Sequence, residues 1–287
     1  MSLALTLTKA TLARRPRKRR ISFGIGIALM AFFILMAIVP GWFTSYDPVA
    51  MNVQAIMQSP SWAHPFGTDN LGRDILARTI WATRVDMQIA IFSTLFPLIF
   101  GSIIGALAGY YGGWFDAVYG RVVDLLIAFP FLVIVIALIA MLGPVIGMGL
   151  KCMYIALSIV DWVFYAQLMR ADIQVQKQTD YAAAARVLGY GEMRIIFRHL
   201  LPNAITPIVV FWMTDMALEI LLGSSLGYLG LGAQPPTAEW GVIIADGKNF
   251  MSTAWWMSVF PGTAIVLAGV GFSLVGDGLA DILRRRG

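Results

Sequence analysis

Six times along the chain an apolar run of about twenty residues is set off by a polar or Gly- and Pro-rich stretch. A helix rises 1.5 Å per residue, so about 20 apolar residues cross a hydrocarbon layer roughly 30 Å thick. The pattern predicts six such helices: Ile21 to Phe43, Met87 to Ala108, Val122 to Leu142, Leu150 to Met169, Ile205 to Leu226 and Met257 to Val275. The short alternating segments of a membrane barrel are absent from the sequence. The expected fold class is therefore all-α, a polytopic membrane protein with six transmembrane helices.

Finer pattern sits inside these runs. Gly101, Gly105 and Gly109 recur every four residues, which leaves a smooth strip where a second helix can approach closely. Gly112-Gly113 ends that helix, and Pro130 is expected to kink the third. Packing is the first role of these residues, with gating as the alternative. Of the polar connections, Ala171 to Asn203 reads as helical: Asp180-Tyr181 opens a run of four alanines, and Ile195, Ile196, Leu200 and Leu201 follow before Pro202, which is expected to stop the helix. A helix in an aqueous connection needs something to dock against, or else lies on the membrane surface.

Charge orients the bundle. The 287 residues are 59% hydrophobic and 13% charged, which excludes a water-solvated surface. The tail ends in Arg14-Arg15-Pro16-Arg17-Lys18-Arg19-Arg20, and the apolar run after it is too long for a signal peptide and lacks a cleavage site. Beside a span such a cluster is an orientation signal and an anchor to anionic lipid, and a nucleic-acid partner is not expected. With both termini cytoplasmic, 16 of the 21 basic residues fall inside and Arg73, Arg78, Arg84, Lys151 and Lys248 fall outside. The expected organisation is a basic cytoplasmic tail at 1–20, a first transmembrane helix at 21–45, an extracytoplasmic segment at 46–85, and a five-helix core at 86–287 with a cytoplasmic loop at 171–203. Tyr46 to Val85 and Gly227 to Trp256 form the outer face, where Trp240, Trp255 and Trp256 could serve as interfacial anchors.

Candidate chemistry is sparse. Cys152 has no partner for a disulfide, and His64 and His199 lack a metal-site signature. Asp161, Asp215 and Glu219 are carboxylates inside predicted spans, where they are costly, and are expected to face a solute pathway or a subunit interface. No phosphate-binding Gly-x-x-x-x-Gly-Lys-Ser/Thr loop, nucleophile elbow or His-Glu-x-x-His occurs, so no catalytic residue, metal or cofactor is assigned to the chain.

Asp180-Tyr181-Ala182-Ala183-Ala184-Ala185-Arg186-Val187-Leu188-Gly189, followed by His199-Leu200-Leu201-Pro202-Asn203, resembles the EAA loop of ABC importer permeases. Three further stretches are similar to C-type permeases of the dipeptide, oligopeptide and nickel importers. They are His64-Pro65-Phe66-Gly67-Thr68-Asp69-Asn70-Leu71-Gly72-Arg73-Asp74, Gly109-Tyr110-Tyr111-Gly112-Gly113-Trp114-Phe115-Asp116, and Leu229-Gly230-Leu231-Gly232-Ala233-Gln234-Pro235-Pro236 with Glu239-Trp240-Gly241. Gly276-Asp277-Gly278 fits the same family. Ala183 stands where the family usually carries glutamate and Gln167 where arginine is common, although Arg170 is kept.

The resemblance implies the type I importer permease fold in a bacterial inner membrane. It also implies a homologous second permease, two ABC ATPase subunits holding ATP and Mg, and an extracytoplasmic solute-binding protein. Asp180 to Arg186, Gly189 and Pro202 would form the ATPase-coupling element, with Arg186 or Asp180 carrying the ion pairing left by Ala183. Di- or oligopeptides are the expected solutes; nickel, glutathione or oligosaccharides would use the same machinery. An ion-coupled secondary transporter is the reading from another class.

Overall fold

The computed structural model describes residues 16–283, and side chains from residue 21. Lys9, Arg14, Arg15 and the arginines at 284–286, on which part of the charge argument rests, lie outside the described residues. Helix α1 (Pro16–Ile38) ends before a 3-10 turn at Pro40–Trp42. Its terminal carbonyls at Ala37 and Ile38 accept from the Arg84 guanidinium at 2.8 and 2.9 Å, so a basic side chain satisfies groups that a helix end leaves unpaired.

Helix α2 (Ile75–Tyr111) begins twelve residues before the expected span, because the Asp74 side chain accepts from the Ala77 N–H at 2.7 Å and caps it. Its 37 residues make a rod of about 55 Å, longer than the hydrocarbon layer. The irregular segment before it closes at Asp74.

Two halves stand where one third span was expected. Helices α3 (Gly113–Ile127) and α4 (Phe131–Ile146) meet at 90°, so Pro130 breaks the helix instead of kinking it. Proline brings no N–H, collides with the carbonyl four residues back and drives its predecessor out of the helical region, which accounts for an unwound Ala128 to Pro130. Among the described residues five helices are long and apolar enough to cross a membrane, and six if the bent pair counts as one.

Helix α5 (Leu150–Gln176) lies against α2 along the glycine strip. A Cβ on Gly101, Gly105 or Gly109 would sit 2.4, 2.2 or 2.7 Å from the carbonyl of Trp162, Ala166 or Arg170, so two four-residue repeats mesh backbone to backbone. After the short α6 (Asp180–Val187), helix α7 (Glu192–Tyr228) runs unbroken through Pro202. This corrects the expected stop. A π-helical stretch, Ile195–Leu200, precedes the proline, and its wider turn accommodates a residue that cannot donate, while the Asn203 side chain donates to the His199 carbonyl at 2.7 Å.

Helices α8 (Trp240–Gly247) and α9 (Trp256–Leu283) are the last among the described residues. Gly278 makes room for the Phe23 ring, which would lie 1.9 Å from a Cβ there, so α9 closes on α1. Apolar side chains of α1, α2, α7, α8 and α9 form one core around Phe33, Trp240, Met257 and Phe272, and those of α2, α5, α6 and α7 form another around Tyr165, Met169 and Ile196. Trp240 and Trp256 are buried, with indole N–H groups donating to Thr79 and Thr68 carbonyls at 2.9 and 3.1 Å, so neither is an interfacial anchor; Trp255 is exposed.

Candidate functional site

At the end of the bundle where α2 and α5 finish, the chain turns through Lys177 to Thr179 into α6. The alanine run divides by helical period. Ala182 and Ala185 are buried against Ile195, Ile196, Leu200 and Ala204, while Tyr181, Ala183 and Ala184 face outward.

At the end of the helix, Val187 and Leu188 are 88% and 68% exposed and extend an apolar outer face. The turn is a Schellman motif: Gly189 has φ +75°, its N–H donates to the Arg186 carbonyl at 2.9 Å, and Tyr190 N–H donates to the Ala185 carbonyl at 3.2 Å. Tyr190 then stacks on His199, with Arg194 over its ring at 4.3 Å. Arg186 donates to the Lys177 carbonyl at 2.8 Å, while Asp180 stays exposed and enters none of the ion pairs among the described residues. Pro202 is exposed on α7 nearby.

Two basic residues tie this end to the rest. Lys177 Nζ donates to the Gly109 and Tyr110 carbonyls at 2.8 and 3.3 Å, which joins the α6 turn to the last turn of α2. Arg170 grips Asp116 with Nε–Oδ1 2.5 Å and NH2–Oδ2 2.6 Å, which joins α5 to α3. Sequence reasoning singled out Arg170 and Asp116 but not their pairing, and it passed over Lys177 except as an inside charge; nothing in one dimension says which carbonyls it reaches.

The opposite end is locked by the stretch from His64 to Asp74. Asp69 accepts from the Leu71 and Arg73 N–H groups at 2.8 and 2.9 Å, and from the Arg73 and Arg78 guanidinia at 2.6 Å each. Both arginines continue to Asp246 at 3.0 and 2.9 Å, so a loop, α2 and α8 share one ion network. His64 Nδ1 lies 2.8 Å from Asp74 Oδ2, a structural bond. Deeper, Glu239 caps α8 by accepting from Gly241 and Val242 N–H at 2.7 and 3.0 Å, and burial lifts its carboxyl to about 7 against these bonds. It faces Asp86, which accepts from the Ser224 hydroxyl and Trp240 N–H at 3.2 Å each.

Between the ends, α5 and α7 bring Asp161, Asp215 and Glu219 together, with one carboxylate oxygen of each within 4.8 Å of the others. All three are enclosed by this chain, at 2%, 3% and 0% exposed, and form an interior cluster. Asp215 and Glu219 meet because they are one turn apart on α7.

A family profile described as "Binding-protein-dependent transport system inner membrane component" matches residues 101–286. The chain belongs to this family. Members of known description lie close along nearly the full length. A putative peptide transport system permease protein of Brucella suis is 39% identical over 274 residues, 96% of this chain and 90% of that one. The dipeptide transport system permease protein DppC of Escherichia coli K12 is 40% identical over 272 residues, covering 93% and 89%. That of Alkalihalophilus pseudofirmus is 39% identical over 259 residues, covering 90% and 84%. A multi-pass membrane permease is thus what the apolar helices and the family together establish.

Proposed function

We propose that this permease is the C-type subunit of an ATP-driven importer of di- or oligopeptides in a bacterial inner membrane. It pairs with a homologous permease to form the pathway, receives solute from an extracytoplasmic binding protein, and is moved by two ABC ATPases that hold the ATP and Mg. The chain itself catalyses nothing. The names of its relatives support the solute class.

The observation that carries the coupling role is α6. It is a short capped helix with an apolar outer face of Ala183, Ala184, Val187 and Leu188, and its turn is bonded to the end of α2 through Lys177. An exposed apolar face of that kind is what a partner covers. Because small side chains make it shallow, an ATPase groove can close over it, and displacement of α6 is passed to α2 and α5. Shape and backbone position carry the contact, since Ala183 supplies no charge. ATP-driven closure of the ATPases then biases a two-state equilibrium of the bundle.

The test is to purify the complex carrying Ala184→Arg. Solute-stimulated ATP hydrolysis and ATPase association should drop at least tenfold, about 1.4 kcal/mol, while the permease pair stays assembled. Unchanged association and transport would leave α6 as a surface helix on the membrane.

A further inference from the structure

We propose that Asp161, Asp215 and Glu219 form an all-oxygen binding site for one hard divalent cation, of the calcium kind, inside the bundle. Each offers a carboxylate oxygen within 4.8 Å of the other two. The partners already present leave a definite vacancy in bonding. Tyr165 hydroxyl donates to Asp215 Oδ2 at 2.6 Å. What remains is Asp161 Oδ2 and both oxygens of Glu219, all buried and none with a hydrogen-bond partner.

Glu219 is the decisive observation. It is fully enclosed, and a carboxyl group there, ionised or neutral, has polar atoms that the protein leaves unmatched, which is costly in a buried site. No Lys, Arg or His forms an ion pair with any of the three among the described residues. One proton shared between Asp161 and Asp215 would leave two negative charges on the cluster, the number a divalent ion neutralises. The ion would take Asp161 Oδ2 and Glu219 in bidentate fashion, with water completing its shell. Calcium tolerates bidentate carboxylates and irregular geometry, whereas magnesium demands a near-ideal octahedron. Such an ion would bond α5 to α7, the helices on either side of α6, whichever solute the importer carries.

The test is elemental analysis of the permease purified with its partners without chelator. About one calcium or other hard divalent ion per chain is expected in the wild type, falling below about a tenth in Glu219→Gln and in Asp161→Asn. As a measurement that needs no variant, Tb3+ added to chelator-stripped wild-type protein should give emission sensitised by Tyr165 and quenched by Ca2+. Wild-type protein without metal and without such emission would overturn the site and assign the oxygens to protons. Equal metal in wild type and both variants would place the ion elsewhere and overturn it as well.

Discussion

Gly227 is a residue whose role is its missing side chain. A Cβ there would stand 1.9 Å from Glu239 Oε2, and one on Gly241 would stand 1.9 Å from the Ser224 carbonyl, so α8 seats on α7 only where both are glycine. The closeness also buries Glu239, whose folded pKa of about 7 exceeds the ordinary 4.5. The folded state then holds a proton that the unfolded chain has lost, so the contribution is complete below about pH 4.5 and disappears as pH rises through about 7. Melting of the purified protein followed from about pH 5 to 8 should show stability falling by up to about 3 kcal/mol, and Glu239→Gln, which copies the neutral acid, should flatten the profile. A wild-type profile that rises with pH would refute the assignment. Gly227→Ala should cost about 1–3 kcal/mol at any pH, because the added carbon overlaps an enclosed carboxyl.

Elements differ in how openly the sequence declared them. The α2–α5 contact was legible because a period of four in glycine has one meaning on a helix; the carbonyls of Trp162, Ala166 and Arg170 that fill the strip belong to backbone and could not be read. Gly105→Leu should therefore separate α2 from α5, and a melting temperature of the purified permease within a degree or two of the wild type would count against this packing. Helix α6 was legible from its alanine run and closing glycine, whereas the break at Pro130 and the passage of α7 through Pro202 were not. Both are prolines in apolar helices; what separates them is a π-helical turn in one case and an unwound linker in the other, a choice made by packing around Ile195, Ile196 and Leu200. Gly189→Val tests the Schellman turn by itself, since nothing lies within 4 Å of a Cβ there and only the positive φ opposes it. The expected loss is about 1–2 kcal/mol in the turn, read as faster amide exchange at Tyr190 and weaker ATPase association with the bundle intact.

At the scale of the whole molecule the two ends are built from different chemistry, and α2 is a rod that reaches both. One end is an ion network of Asp69, Arg73, Arg78 and Asp246 that fixes the loops. The other is a shallow apolar helix hung from carbonyls by Lys177. The first is suited to staying still and the second to being moved. Membrane orientation is the step that ties this asymmetry to transport, and it rests on the distribution of basic residues. If the Asp69 network is extracytoplasmic, cysteines at Trp62 and Gln234, both exposed there, should react with a membrane-impermeant maleimide in intact cells. Cysteines at Val187 and Leu188 should react only after lysis, and then less once the ATPases are bound. Cys152, buried in α5, leaves the background low. Labelling at Val187 in intact cells, with Trp62 protected, would turn the bundle over and remove α6 from the reach of any cytoplasmic ATPase, so this measurement decides the coupling role along with the topology.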